Sequence, residues 1–252
     1  MPSLNSEILV ILINLDRAKN RLAKMESRLS SIGADYTRLP AVDGKAYNFT
    51  GSEFNEKLYR RYVGKKKNTG EIGCYLSHYN AINLFLENQK KYAIILEDDA
   101  VFNPDFANIL NKLAIMPDDW DFVKFNTARD GGFGNVAVKN LFGNYKLYAS
   151  FFPKTYSAAY MINRKAGLAL KSKLLPMTVP FDHEMIKFWK YDIKQYSVFP
   201  SPVSVEYLDT NIGGYDTNVF KFPPYKRISV LLYRIYTQIK RALNFYKLLK
   251  KH

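Results

Sequence analysis

Cysteine is almost missing: Cys74 stands alone among 252 residues. One thiol excludes an internal disulfide and any zinc site built on several cysteines. Histidine is nearly as scarce, with only His78, His183 and His252, so a histidine-built metal centre is not expected. No apolar run approaches the ~18 residues that a membrane-crossing helix needs. The apolar stretch from Ile8 to Ile13 lacks a basic segment before it and a small-residue cleavage site after it. It therefore does not read as a secretory leader, and a reducing, cytoplasmic setting is expected. Acids are the short side of the charge balance, 23 against 37 Lys and Arg, for a formal net charge of +14. Hydrophobic residues, by contrast, make up 47%, enough to exclude a disordered chain and to build a sizeable core.

The positive charge is uneven. Residues 226–252 carry Lys226, Arg227, Arg234, Lys240, Arg241, Lys247, Lys250 and Lys251 and no acid. Their apolar residues Ile228, Leu231, Leu232, Ile235, Ile239, Ala242, Leu243 and Tyr246 follow helical spacing. Pro223 and Pro224 punctuate the start of this segment. The chain thus reads as a body, residues 1–222, and a basic amphipathic tail, residues 223–252. Such a helix suits an anionic membrane surface; the plainer alternative is a helix docked on the body with a solvated basic face. A nucleic-acid partner is not expected, because the charge gathers in the tail and not along a body surface interleaved with aromatics.

Strand and helix signals alternate along the body. Residues 7–13 read as a buried strand, residues 17–32 as an amphipathic helix stopped by Gly33, and residues 35–39 as a short strand. Asp43-Gly44 reads as a turn. Thr69 is a candidate cap for a helix to about Asn88. Residues 92–96 form a second buried strand, and Asn103-Pro104 signals a helix start with Asn as cap. Strands follow at 120–125, 145–151, 155–162 and 194–199, with helices at about 163–174 and 182–190. The stretch Asp130 to Asn135 is a candidate lid or a plain surface loop. This alternation predicts an α/β fold with a mostly parallel central sheet, in which ligands bind beyond the carboxyl ends of strands. Asn14 to Arg17 and Glu97-Asp98-Asp99 both fall there.

Three consecutive acids after a buried strand repel one another unless a positive group neutralises them. Mg²⁺ and Mn²⁺ accept such oxygens and leave positions open for substrate phosphates. A solvated acidic turn is the plainer alternative. By residue type alone, the triplet does not separate a sugar transferase from a phosphatase or a kinase. Cys74 reads as a small core residue, with no base in view to activate it.

Four stretches narrow the choice. They are Ile13-Asn14-Leu15-Asp16-Arg17 with Arg21 one turn on, Pro40-Ala41-Val42-Asp43-Gly44, Gly70 to His78 (GEIGCYLSH), and Ile95-Leu96-Glu97-Asp98-Asp99-Ala100. In order and spacing they resemble glycosyltransferase family 25, the lipopolysaccharide glycosyltransferases, over about residues 8–105. Fainter similarity runs on through Trp120 to Lys124 and Ala159 to Ile162, as far as Asp182.

The resemblance implies a GT-A type nucleotide-sugar transferase fold. It implies an inverting enzyme that moves a hexose, often galactose, from a UDP-sugar to a lipooligosaccharide, with Mn²⁺ or Mg²⁺ as the divalent cation. It maps Glu97-x-Asp99 onto the family's DXD-like motif, Asp99 being the better metal ligand and Glu97 serving either the metal or the ribose. Asn14, Asp16, Arg17, Arg21 and Asp98 then lie where the first strand meets the nucleotide. Ala41 and Asp43 would line the uridine pocket, with Ser77 and His78 on a helix beside the acidic turn. Lys124 and Asn126 would face the donor sugar. An inverting transfer needs a base for the acceptor hydroxyl; Asp182 is the first candidate and Glu184 the second. The expected place is the cytoplasm, peripheral at the inner face of a bacterial inner membrane. The alternatives are a nucleotide-sugar-binding protein of the same fold without turnover, and a transferase acting on another glycan or a protein.

Overall fold

The computed structural model describes residues 4–125, 134–153, 155–206 and 221–249. The first half alternates strand and helix: β1 (Ile8–Asn14), α1 (Lys19–Ser31), β2 (Thr37–Pro40), α2 (Glu56–Val63), α3 (Thr69–Glu87), β3 (Tyr92–Glu97), β4 (Ala100–Phe102), α4 (Phe106–Ala114) and β5 (Phe122–Lys124). The second half adds β6 (Asn135–Phe142), β7 (Tyr145–Ser150), β8 (Ala159–Asn163), α5 (Arg164–Lys171), α6 (Phe181–Glu184), α7 (Phe188–Tyr191), β9 (Gln195–Phe199), β10 (Val203–Val205) and α8 (Ile228–Leu249).

Eight strands form one sheet in the order β2-β1-β3-β8-β5-β9-β7-β6. Pairings β1/β2, β1/β3 and β5/β9 are parallel. The antiparallel pairings all involve β8 or β7. Six strands therefore point one way, and β7 and β8 are the two reversed members. This is the α/β architecture with a mostly parallel sheet that the alternating pattern predicts. β4 and β10 pair separately as a small antiparallel ribbon.

The period of two in β1 sorts its side chains between two cores. Val10 and Leu12 pack with Met25, Leu29, Ile94 and Leu96 on the α1 and α4 side. Ile11 and Ile13 pack with Ile72, Tyr75, Ile95 and Tyr160 on the α3 and α5 side. Helix α1 ends as its sequence predicts. Gly33 takes a left-handed φ of 62°, its N–H donates to the Ser30 carbonyl, and the Ala34 N–H donates to Leu29, which together cap the freed carbonyls.

Several boundaries differ from the expected ones. Helix α3 is capped by Asn68, whose Oδ1 accepts from the Gly70 and Glu71 N–H groups; Thr69 is already the first helical residue. Asn103 caps only a turn, accepting from the Asp105 N–H at 3.1 Å, and α4 begins after it at Phe106. The single helix expected at 182–190 is two short ones, α6 and α7, and this break lets both Lys187 and Lys190 reach Glu184. The strand expected from 155 begins at Ala159. Residues 130–133 of the candidate lid lie outside the described residues, while Asn135 opens edge strand β6.

Helix α8 docks on the body, the plainer of the two readings of the tail. On the docked face Val230 is buried, Tyr233 stacks on Tyr62 of α2 at 4.0 Å, and Phe245 meets Phe151 edge-on. The opposite face leaves Ile228, Leu231, Leu232, Ile235, Ile239 and Leu243 each at least half exposed. No helix among the described residues is long and apolar enough to cross a membrane.

Candidate active site

The parallel register pairs Ile13 with Glu97, so the chain leaves β1 and β3 side by side and their polar ends meet. Asn14, 1% exposed, donates from Nδ2 to Asp98 Oδ2 at 2.7 Å and to the Ala18 carbonyl at 3.3 Å. Its Oδ1 accepts from Arg38 Nε at 3.1 Å, and Arg38 also holds Asp16 at 2.5 Å. Arg21, in the first turn of α1, donates to Asp98 Oδ1 at 2.9 Å. Asp98 is thus held on both oxygens and ties β1, α1 and the acidic turn together. Arg17 forms an ion pair with Asp43 on the far side of the opening.

The loop at 41–45 is pressed against the start of α3. A Cβ on Gly44 would lie 1.8 Å from the Thr69 carbonyl oxygen, and one on Gly73 would lie 2.5 Å from the Val42 oxygen. Only glycine permits this approach at either position. Ser77 Oγ accepts from the Val42 N–H at 2.8 Å and donates to the Gly73 carbonyl at 2.7 Å. Its visible role is to hold the loop. Between loop, helix and strand ends lies a cleft of about 250 Å³. It gathers Asn14, Arg17, Arg21, Ala41, Asp43, Ser77, His78 and all three acids of the triplet. Asp16, by contrast, is mostly exposed and paired with Arg38.

The three acids are chemically distinct. Glu97 Oε1 accepts from Ser157 Oγ at 2.6 Å and meets His78 Nε2 at 3.2 Å. Burial opposes its ionisation, but these contacts outweigh burial and hold its pKa below the usual range. His78 is fixed in turn. Its Nδ1 meets the Tyr160 hydroxyl at 3.0 Å, and its ring stacks flat on Phe181 with centroids 4.0 Å apart. Asp99 has the opposite character. Its Oδ1 is buried without a hydrogen-bond partner, and burial together with Glu97 and Asp98 pushes its pKa up to about 7. A buried carboxylate oxygen left unpartnered among like charges fits a hard divalent cation. Asp99 would hold it, with Glu97 and Asp98 adding negative field.

The acceptor-side candidates fall differently. Lys124, 2% exposed at the end of β5, has its pKa lowered to about 8 by burial, partly opposed by Asp182. Asp182 lies in the first turn of α6 and accepts from the His183 N–H at 2.8 Å. Burial raises its pKa, with His183 and Lys124 pulling the other way. Neither residue lines the cleft itself. Asp182 nevertheless acts, with Glu97 and Asp99, on the Cys74 thiol, which burial and the carboxylates of Glu97, Asp182, Asp99 and Glu71 push up. Glu184 does not keep its candidacy as a base. It is 1% exposed and taken by Lys187 at 2.6 Å, Lys190 at 2.5 Å and the Tyr191 hydroxyl at 2.5 Å. Asn126 lies outside the described residues.

Sequence reasoning did not place Cys74, Lys45 or Asn68 to Gly70 on the cleft, yet they line it. The signal for Cys74 was its spacing of one helical turn from His78.

A family-wide sequence model described as glycosyltransferase family 25 (LPS biosynthesis protein) matches residues 7–185. The chain belongs to this family. A Drosophila melanogaster relative named glycosyltransferase 25 family member is 31% identical over 198 residues, covering 71% of this chain and 32% of its own. Procollagen galactosyltransferase 1-A of Xenopus laevis is 30% identical over 208 residues, covering 77% of this chain and 33% of its own. The chain therefore spans about a third of the length of these curated relatives. A solved glycosyltransferase involved in glycosylating the major capsid of PBCV-1 aligns at a TM-score of 0.37 and 12% identity, covering 78% of this chain and 82% of that one.

Proposed function

We propose that this family 25 member is an inverting glycosyltransferase that moves a hexose, galactose being favoured, from a UDP-sugar to a lipooligosaccharide acceptor. The observation that carries this reading is the buried, unpartnered Asp99 oxygen at the floor of a cleft where strand ends, a glycine-packed loop and two arginines converge. Asp43 and Ala41 border the base and ribose, and Arg17 and Arg21 face the diphosphate. Both arginines are held by carboxylates, so a diphosphate would compete for guanidinium groups already aimed at the cleft. Bound at Asp99, Mn²⁺ or Mg²⁺ would offset the charge on UDP as it leaves.

The acceptor oxygen attacks the anomeric carbon opposite the leaving UDP, and its proton passes to Asp182. A carboxylate whose pKa burial has raised is a stronger base than a solvated one. Lys124, beside it, keeps that side of the site from carrying uncompensated negative charge. The lipid-linked acceptor is supported by α8, whose exposed apolar face is flanked by basic residues and by no acid. Such a surface supports a peripheral position on an anionic leaflet, which on this reading is the cytoplasmic face of a bacterial inner membrane.

The test is a screen of UDP-galactose, UDP-glucose and their N-acetyl forms against truncated lipooligosaccharides, reading product and released UDP. Asp182→Asn should keep donor binding and lose ~10²–10⁴-fold in turnover. Donor binding without transfer to any acceptor, by the unaltered chain, would favour a sugar-nucleotide-binding protein without turnover.

A further inference from the structure

Cys74 and His78 stand one turn apart on the same face of α3, and Glu97 reaches that face from the end of β3. One ligand atom from each lies within 4.8 Å of the other two. The His78 Nε2 to Glu97 Oε1 distance of 3.2 Å is close to one edge of a zinc tetrahedron, given metal–ligand bonds of about 2.0–2.2 Å. All three residues line the cleft, so a fourth position opens to solvent or ligand. The outer contacts also fit. The Tyr160 hydroxyl meets Nδ1, leaving Nε2 for an ion, and Phe181 fixes the ring plane. Buried ligating histidines are oriented in this way by a second hydrogen bond.

We infer that Cys74, His78 and Glu97 form a second cation site, for Zn²⁺ and similar thiophilic ions, separate from the hard-cation position at Asp99. Ligand softness separates the two: thiolate and imidazole suit zinc, whereas carboxylate oxygens alone suit magnesium and manganese. On binding, the Cys74 thiol gives its proton to solvent, and thiolate plus carboxylate balance the dication. Affinity therefore falls as pH falls. The bound ion would take His78 and Glu97 out of their mutual contact beside Asp99. This inference does not depend on the donor or acceptor proposed above.

The test is a titration of the full chain with Co²⁺, a spectroscopic stand-in for Zn²⁺. The wild type should show a thiolate-to-cobalt charge-transfer band and the intense visible bands of a low-coordinate site. Zn²⁺ should displace both. Cys74→Ser and Cys74→Ala should each abolish the band and weaken binding ~100-fold or more, with circular dichroism reporting an intact fold. Tyr160→Phe should weaken it ~10-fold, as loss of an outer contact does. Asp99→Asn should leave the band in place. Cobalt binding without a thiolate band, or loss of the band in Asp99→Asn, would overturn the assignment.

Discussion

Replacing Leu231, Leu232, Ile235 and Ile239 together by glutamine isolates the exposed face of α8. These side chains are 60%, 63%, 50% and 55% exposed, and glutamine keeps helix propensity. Burying a whole leucine or isoleucine contributes about 1.5–3 kcal/mol. The exposed part of each therefore has about 1 kcal/mol to gain from lipid, and the four about 4 kcal/mol if fully immersed. An interfacial helix sinks only partway, and half of that sum is ~2 kcal/mol. Partitioning onto anionic vesicles should thus fall about 30-fold. Folded stability should stay within about 0.5 kcal/mol, because the docked face of Val230, Tyr233 and Phe245 is untouched. Sedimentation with anionic and neutral vesicles reads the first effect and a thermal melt the second. Raising salt from 0.1 M to 1 M, which shortens the Debye length from ~10 Å to ~3 Å, should weaken wild-type binding as well. Unchanged sedimentation of the variant would refute the membrane role. A melting point several degrees lower would show that these side chains pack within the protein instead.

Three further outcomes follow from the site. Asp99 has its pKa raised to about 7, above the ~3.9 of an unfolded chain. The folded state therefore holds the extra proton between those values, and metal-free stability should fall as pH climbs from about 4 to about 7, then level off. Melts of Asp99→Asn should lack that slope; an unchanged slope would assign it to another group. Glu184→Gln leaves the buried Lys187 and the partly exposed Lys190 short of a counter-charge and should cost ~3 kcal/mol in urea titrations. Wild-type stability with lost turnover would instead return Glu184 to candidacy as the base. Gly73→Ala forces the 41–45 loop off α3, since its Cβ would meet the Val42 oxygen at 2.5 Å. Overpacking of this kind costs about 1–3 kcal/mol, and UDP affinity should drop with it; unchanged affinity would mean the loop does not shape the nucleotide pocket.

What was legible in the sequence follows physical range. β1 and β3 announce themselves as unbroken apolar runs, and α1 by its periodicity with Gly33 at the stop. The acidic turn and the cleft's edge followed from those strand ends. The reversed strand β8, lodged between β3 and β5, is a non-local pairing that no local pattern encodes. Edge strand β6 was invisible because most of its side chains face solvent on both sides. Within the site, residue type could say that Glu97, Asp98 and Asp99 clustered. Only tertiary contacts assign Asp98 to Asn14 and Arg21, Glu97 to His78 and Ser157, and leave the Asp99 Oδ1 unpartnered. Glu184 misled for the same reason: an acid beside Asp182 looks equivalent until Lys187, Lys190 and Tyr191 are seen around it.

The most direct test of the central claim is a calorimetric titration of UDP into wild type and Asp99→Asn, each with Mn²⁺ and with excess chelator. Wild type should bind UDP with Mn²⁺ and lose much of its affinity on chelation. Asp99→Asn should show a comparable loss even when Mn²⁺ is present, with the fold intact by circular dichroism. UDP binding that is equally tight in all four conditions, or absent from all of them, would contradict it.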